Sequence, residues 1–186
     1  MGLGIIVCGL NGSGKSTLGK ALAEKLGFHL IDNENLFFPK SDANYLYAAP
    51  RSYEEVKKLL MNEVRLHKNF IFAAVKGNYG EEILPFFHYA VLIDVPKDIR
   101  LQRVRNRSFQ KFGKRMLVGG DLYEREEAFF DMVSSRTEHY VEEWVQILTC
   151  PIIRVDGTKP IEKNIALIIE QVQRNLGFVA IHRQEI

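Results

Sequence analysis

Residues 9–17 read Gly-Leu-Asn-Gly-Ser-Gly-Lys-Ser-Thr, a G-x-x-x-x-G-K-[ST] sequence directly after the apolar run Gly4-Ile5-Ile6-Val7-Cys8. Residues of these types at this spacing do phosphate chemistry. Gly9, Gly12 and Gly14 can take backbone angles closed to residues with a Cβ, so the N–H groups of Asn11, Ser13 and their neighbours can turn inward on one anion. A helix beginning at this point adds its own free N–H groups and the positive end of its dipole. Lys15 is placed to reach the β- and γ-phosphates of a nucleoside triphosphate, and the Ser16 hydroxyl to ligate Mg²⁺. Thr17 either lies near the α-phosphate or serves as a first-turn helix residue.

Two further groups of residues could join this chemistry. Asp32 and Glu34 follow an apolar segment. A carboxylate there can accept a proton from a substrate hydroxyl or hold a metal-bound water, or it can simply cap a helix. The stretch 97–115 carries Lys97, Arg100, Arg103, Arg105, Arg107, Lys111, Lys114 and Arg115 against the single acid Asp98. A solvated helix face normally mixes both signs, and a nucleic-acid patch would carry interleaved aromatics. Guanidiniums directed at phosphates account for the run better, because planar, bidentate Arg suits a phosphoryl group in transfer.

The elements that must position these residues alternate between strand and helix. Phe28–Ile31, Phe70–Val75, Tyr89–Val95 and Ile152–Val155 read as strands after the first. Ser52-Tyr53-Glu54-Glu55 reads as a capping box opening a helix along Val56, Leu59, Leu60 and Val64. Helical stripes also run through Leu18, Ala21, Leu22 and Leu26, and through Ile161, Ile165, Ile168 and Val172. Strands that are continuous apolar runs between helices predict a parallel sheet covered on both faces. In such α/β sheets ligands bind beyond the carboxyl ends of the strands. That places Asp32, Glu34 and the turn Gly77-Asn78-Tyr79-Gly80 among candidate substrate contacts. Arg125 and Arg136 lie in the long helical region after Gly120, where either could point at the acceptor site, although a surface position is the commoner outcome.

Composition sets the remaining bounds. At 186 residues, 46% hydrophobic and 11% aromatic, the chain can bury a sound core as one domain over residues 1–176. Residues 177–186 read as an appended tail. A formal net charge of only +2 calls for neither nucleic acid nor an acidic membrane as partner. Cys8 and Cys150 read as buried, reduced thiols, and no apolar run reaches the length of a membrane span, so the cytoplasm is the expected location. Five histidines without Cys/His spacing argue against a zinc site. Nothing in the pattern fixes the oligomeric state.

Taken together, these motifs resemble the small P-loop kinases, the group of the shikimate and gluconate kinases and the nucleoside monophosphate kinases. The resemblance rests on the phosphate loop, Asp32, Leu92-Ile93-Asp94-Val95-Pro96 with its spaced arginines, and Val155-Asp156-Gly157-Thr158-Lys159-Pro160. It spans about residues 4–175 and implies a three-layer α/β fold, with a five-stranded parallel sheet in the order 2-3-1-4-5 and an Arg-rich lid at about 107–121. It implies ATP and Mg²⁺ as cofactors and a small-molecule acceptor. Arg103 and Arg107 match the arginines that lead into the lid, and Asp156, Gly157 and Lys159 match the loop around the adenine. Asp32 matches an acidic position facing substrate and metal, and Arg51 could serve an anionic substrate.

The chain also departs from the group. Glu34 stands where shikimate kinases carry a second Asp, and Gly77-Asn78-Tyr79-Gly80 replaces their glycine triplet. Transfer of the γ-phosphoryl to an alcohol or a nucleoside monophosphate is the expected function, with Lys15, Asp32, Arg103 and Arg107 as catalytic groups and Ser16 and Asp32 at the metal. The alternative is a P-loop ATPase or a nucleotide-binding regulatory module with no small-molecule acceptor.

Overall fold

The structure, a computed structural model, describes residues 2–39, 45 and 47–182. Five parallel strands, β1 (Gly4–Cys8), β2 (His29–Asp32), β3 (Phe70–Ala73), β4 (Tyr89–Asp94) and β5 (Ile152–Asp156), form one sheet in the order β2-β3-β1-β4-β5. The order is the expected one. Ile6 of β1 aligns with Phe72 of β3 and Ala90 of β4, so the three central strands carry their apolar residues in register.

Alternate residues of those strands feed two separate cores. Ile6, Cys8, Phe70, Phe72, Ala90 and Leu92 pack under α3 (Tyr53–Leu66) and α6 (His139–Val145), through Val56, Leu60, Val141 and Trp144. Ile5, Val7, Ile71, Val91 and Ile93 face α1 (Lys15–Leu26) and α7 (Ile161–His182), through Leu18, Leu22 and Ile168. Because successive strand residues point to opposite faces, an unbroken apolar run is what a sheet covered on both sides requires. Each such side chain contributes about 2 kcal/mol by leaving water.

Local signals in the sequence fix the helix ends. Ser52 and Glu55 form the anticipated capping box at the start of α3. Gly27, at φ 67°, closes α1 in the left-handed conformation. Pro96 precedes α4 (Lys97–Phe112), and Asp32 caps α2 (Asn33–Phe37) by accepting from the Glu34 N–H at 2.9 Å. After α4 the chain makes one 3₁₀ turn at Gly113–Met116 and continues into α5 (Tyr123–Ser135). Val104, Met116, Phe130 and Val133 give this region a small core of its own.

Helix α7 runs to His182, past the boundary anticipated at 176, and residues 183–186 lie outside the described residues. Gly177 costs that helix about 1 kcal/mol but does not end it, since no proline follows. Cys8 is buried, its thiol facing the Val91 carbonyl at 3.4 Å, whereas Cys150 is only partly covered. At the amino end of β2 the fold assembles His29, Glu63 and His67, with ligating atoms within 4.8 Å of one another. His29 is far in sequence from Glu63 and His67, which stand four residues apart at the end of α3, and the three meet because β2 starts where α3 stops. Among the described residues no helix is long and apolar enough to cross a membrane.

Candidate active site

The phosphate loop joins β1 to α1 and is held in shape from within. The carbonyl of Leu10 accepts from the Ser13 N–H at 3.1 Å and from Lys15 Nζ at 3.1 Å. Gly12 has φ 82°, and a Cβ on it would meet the carbonyl oxygen of Arg100 at 2.3 Å, so only glycine allows the loop to lie against α4. Gly14, at φ 97°, delivers the chain into α1. Lys15 is partly enclosed at this point. Burial, followed by the nearby Arg107 charge, lowers its pKa from 10.5 to about 8, while Asp32 acts in the opposite direction.

Helix α4 braces the loop from the side with successive arginines. Arg100 is buried and donates from Nε to the Val95 carbonyl at 3.1 Å and from a terminal nitrogen to the Asn11 carbonyl at 3.4 Å. Arg103 places both terminal nitrogens 3.1 Å from the Gly157 carbonyl and one 3.5 Å from that of Gly12. It thus links the phosphate loop to the turn after β5. In that turn Asp156 accepts from the Thr158 N–H at 2.8 Å, and Gly157 donates to the Asp94 carbonyl at 2.8 Å. Among the described residues Arg107 makes no hydrogen bond or ion pair, and it faces the loop.

Three adjoining spaces surround these residues. The first, about 470 Å³, lies between Ser13, Gly14, Thr17 and Arg103 on one side and Gly157, Thr158, Lys159 and Pro160 on the other. The second, about 180 Å³, is a groove formed by Gly12, Gly14, Lys15, Ser16, Thr17, Arg103 and Arg107. The third, about 500 Å³, shares Gly12, Lys15, Ser16 and Arg107 with the groove and extends to Asn11, Asp32, Glu34, Glu126 and Arg136. Its wall is rich in rings, with Phe37, Phe38, Tyr45, Tyr47 and Phe129 among the lining residues.

The end of α4 reaches over this third cavity. Lys111 Nζ donates to Glu34 at 3.2 Å and to the Tyr47 hydroxyl, and Tyr47 itself donates to Glu34 at 3.1 Å. Burial alone would raise the Glu34 pKa, but the charges of Lys111 and Arg107 outweigh it and hold the carboxyl below its usual range. Beyond α4, Arg115 clasps Asp121 at 2.6 Å, and Gly120 lies where a Cβ would strike the Arg115 carbonyl at 2.1 Å.

Several sequence-selected residues are not among those that line the third cavity. Tyr79 is 3% exposed and donates to Asn33 at 2.6 Å, Asn78 accepts from the Tyr53 hydroxyl, and a Cβ on Gly77 would meet Ile6, Phe87 and Trp144. Arg51 donates to the carbonyls of Leu36 at 2.7 Å and Asn35 at 3.4 Å, closing the carboxyl end of α2. Asp94 pairs with Arg154 at 3.6 Å and lines a separate space at the end of β4.

Two further groups join the site. Arg136, for which both an acceptor-site and a surface position were open, lines the third cavity, donates to Asn11 Oδ1 and stands 5.2 Å from the Tyr140 ring. Glu126 lines the same cavity at 1% exposure. Its signal was present in the sequence: with Phe130 and Val133 it forms an i, i+4, i+7 set, an acid on an apolar stripe.

The loop, the sheet order and the arginine-bearing helix define a nucleotide-binding P-loop domain with the fold of the small P-loop kinases. Residues 5–131 match the AAA_18 family, described as an AAA domain, and the chain belongs to that family. Shikimate kinase from Bacteroides thetaiotaomicron superposes with a TM-score of 0.57 at 19% identity, over 93% of this chain and 99% of its own. A gluconokinase from Sinorhizobium meliloti 1021 gives 0.56 at 16% identity, over 95% and 96%. Deoxyadenosine kinase from M. mycoides, solved with dCMP and dCDP, gives 0.56 at 16%, over 92% and 100%. In sequence the chain is 27% identical over 181 residues to the protein named Uncharacterized protein YqaC of Bacillus subtilis (strain 168), covering 92% of this chain and 98% of that one. It is 26% identical over 157 residues to shikimate kinase of Gloeobacter violaceus (strain ATCC 29082 / PCC 7421), covering 78% and 83%.

Proposed function

We propose that this protein transfers the γ-phosphoryl group of ATP to a small molecule held in the third cavity. The observation that carries this reading is the junction itself: Gly12, Lys15, Ser16 and Arg107 line both the phosphate groove and the larger cavity. A hydrolase needs room for one water beyond the γ-phosphate. Here a space of about 500 Å³ opens there instead. That the named solved structures of this fold are kinases for shikimate, gluconate and deoxyadenosine agrees with the reading.

In this reading the base of ATP occupies the space between Arg103 and residues 156–160, and its phosphates lie along the N–H groups of residues 12–17. Lys15 and Arg107 offset charge on the γ-phosphoryl as it passes in line to the acceptor, and Arg136 stands across the same cavity. Ser16 and Asp32 are hard oxygen donors beside Lys15 and would hold Mg²⁺, which when bound would supply positive charge against the phosphates. One Asp32 oxygen already caps α2. The other would orient or deprotonate an acceptor hydroxyl, and with a phosphate acceptor Asp32 would serve only the metal. The Lys111 contacts would keep the lid closed against water.

The test is ADP release from Mg-ATP across shikimate, gluconate, other sugar acids, nucleosides and nucleoside monophosphates, with Lys15→Ala protein as blank. An acceptor that raises the rate well above basal hydrolysis supports transfer. Flat rates with ATP bound would replace the proposal with a regulatory ATPase or binding module.

A further inference from the structure

Glu126 is a charged group on the cavity wall that none of the steps above employs. It projects from α5 at 1% exposure; Oε1 accepts from the Tyr45 hydroxyl at 3.1 Å, and Oε2 has no partner among the described residues. A buried carboxylate oxygen without a donor is costly. A fold can keep one where a ligand supplies the missing donor. Of the cations nearby, Arg136 is engaged on Asn11, Lys111 on Glu34 and Arg105 on the neighbouring acid Glu127 at 3.2 Å, while Arg107 lines both the cavity and the phosphate groove and does not reach Glu126.

The surroundings limit what that donor can belong to. The cavity that Glu126 lines also carries Phe37, Phe38, Tyr45, Tyr47 and Phe129. Phe38 and Tyr47 meet edge to face at 4.9 Å, and Tyr45 and Tyr47 at 5.6 Å. Ring walls of this kind favour a flat, polarisable partner. A sugar acid presents hydroxyls on all sides and no flat face for the rings. A planar nitrogen heterocycle presents faces for the rings and an N–H for Oε2.

We propose that Glu126 selects the acceptor, and that the acceptor is a planar nitrogen heterocycle whose amino N–H donates to Glu126 Oε2. This rests on the third cavity being the acceptor site.

The experiment uses the full chain with Mg-ATP. Adenosine, cytidine and their 5′-monophosphates are compared with twins dimethylated on the exocyclic nitrogen, and with shikimate and gluconate. An amino-bearing ring should raise ADP release, and its dimethylated twin should lose about a hundredfold or more in kcat/KM, as a site left with an unpaired acceptor does. Glu126→Leu should abolish that discrimination and Glu126→Gln should recover part of it. The wild-type comparison stands even if either variant fails to fold.

Equal use of both twins by the wild type overturns the proposal. So does discrimination that persists in Glu126→Leu, which would make bulk the cause. Turnover of only a sugar acid overturns it while leaving phosphoryl transfer intact. Turnover of ATP with no acceptor effect overturns transfer as well.

Discussion

Lys15 Nζ donates to the Leu10 carbonyl at 3.1 Å, turning the one lysine of the phosphate loop back onto the loop that carries it. Burial and then Arg107 lower its pKa to about 8, against 10.5 in an open chain. Between about pH 8 and 10.5 the unfolded chain therefore holds a proton that the folded protein lacks, so the Lys15 contribution makes stability rise with pH across that window. Below it the cost of the enclosed charge is fully present. Phosphates reverse the balance by favouring the cation. Binding of ATP at pH 8.5 should then take up protons, read by calorimetry in two buffers of different ionisation enthalpy, and affinity should fall as pH rises through the window. Arg107→Gln should shift that fall to higher pH. No uptake at pH 8.5 would mean that Lys15 does not meet the phosphates.

Gly12 and Gly14 share positive φ but differ in surroundings. A Cβ on Gly12 meets the Arg100 carbonyl at 2.3 Å, whereas one on Gly14 meets nothing within 4 Å. Gly14→Ala should cost only backbone strain, about 1–2 kcal/mol. Gly12→Ala adds a clash with helical backbone and should cost on the order of 3 kcal/mol, together with a rise in the Kd for ATP. Thermal unfolding of the two variants measures the difference, and equal losses would contradict the contact with α4.

The Lys111, Glu34 and Tyr47 cluster ties the end of α4 to α2 across the third cavity. Its members are partly exposed, so the tie is worth about 1 kcal/mol at most. Lys111→Met should speed amide exchange across residues 107–121 by about fivefold, the factor such an energy sets. Glu34 is held below its usual carboxyl range by Lys111 and Arg107, which outweigh its burial, so its contribution is present above the ordinary value of 4.5 and is lost as pH falls through the lowered one. Exchange in the wild type should therefore rise only below about pH 4.5. Unchanged exchange in Lys111→Met would remove the contact from any role in holding residues 107–121.

The strands and the phosphate loop were legible because each is encoded locally, whereas the sheet order came only as what the resemblance to the small P-loop kinases implies. Apolar runs declare buried strands, and glycines at fixed spacing declare an anion cradle. The walls of the third cavity were legible only in part. Glu126 sits in Glu124-Arg125-Glu126-Glu127, which reads as a solvated face unless Phe130 and Val133, four and seven residues on, are read with it as one stripe. Arg136 ends α5 and reaches Asn11 across 125 residues of sequence, a pairing no local pattern announces. Tyr79 reads as a ligand contact by its position after β3, yet it is not among the residues that line the third cavity and instead supports Asn33.

Asp32 does two separable things. Its Oδ1 caps α2 through the Glu34 N–H at 2.9 Å, and it lines the third cavity beside Lys15 and Ser16. Asparagine caps a helix as well as aspartate does, so Asp32→Asn should leave stability within about 0.5 kcal/mol of the wild type. The same change removes the charge that would accept a proton or hold the metal, and transfer to an alcohol should fall by about two to four orders of magnitude. Asp32→Ala loses both functions and should cost about 1 kcal/mol more. Unfolding curves and transfer rates on the same preparations separate the two effects. If Asp32→Asn keeps the wild-type rate, the carboxylate is a cap and the proton goes elsewhere. If it loses rate and stability together, the loss of activity follows from α2 rather than from chemistry at Asp32.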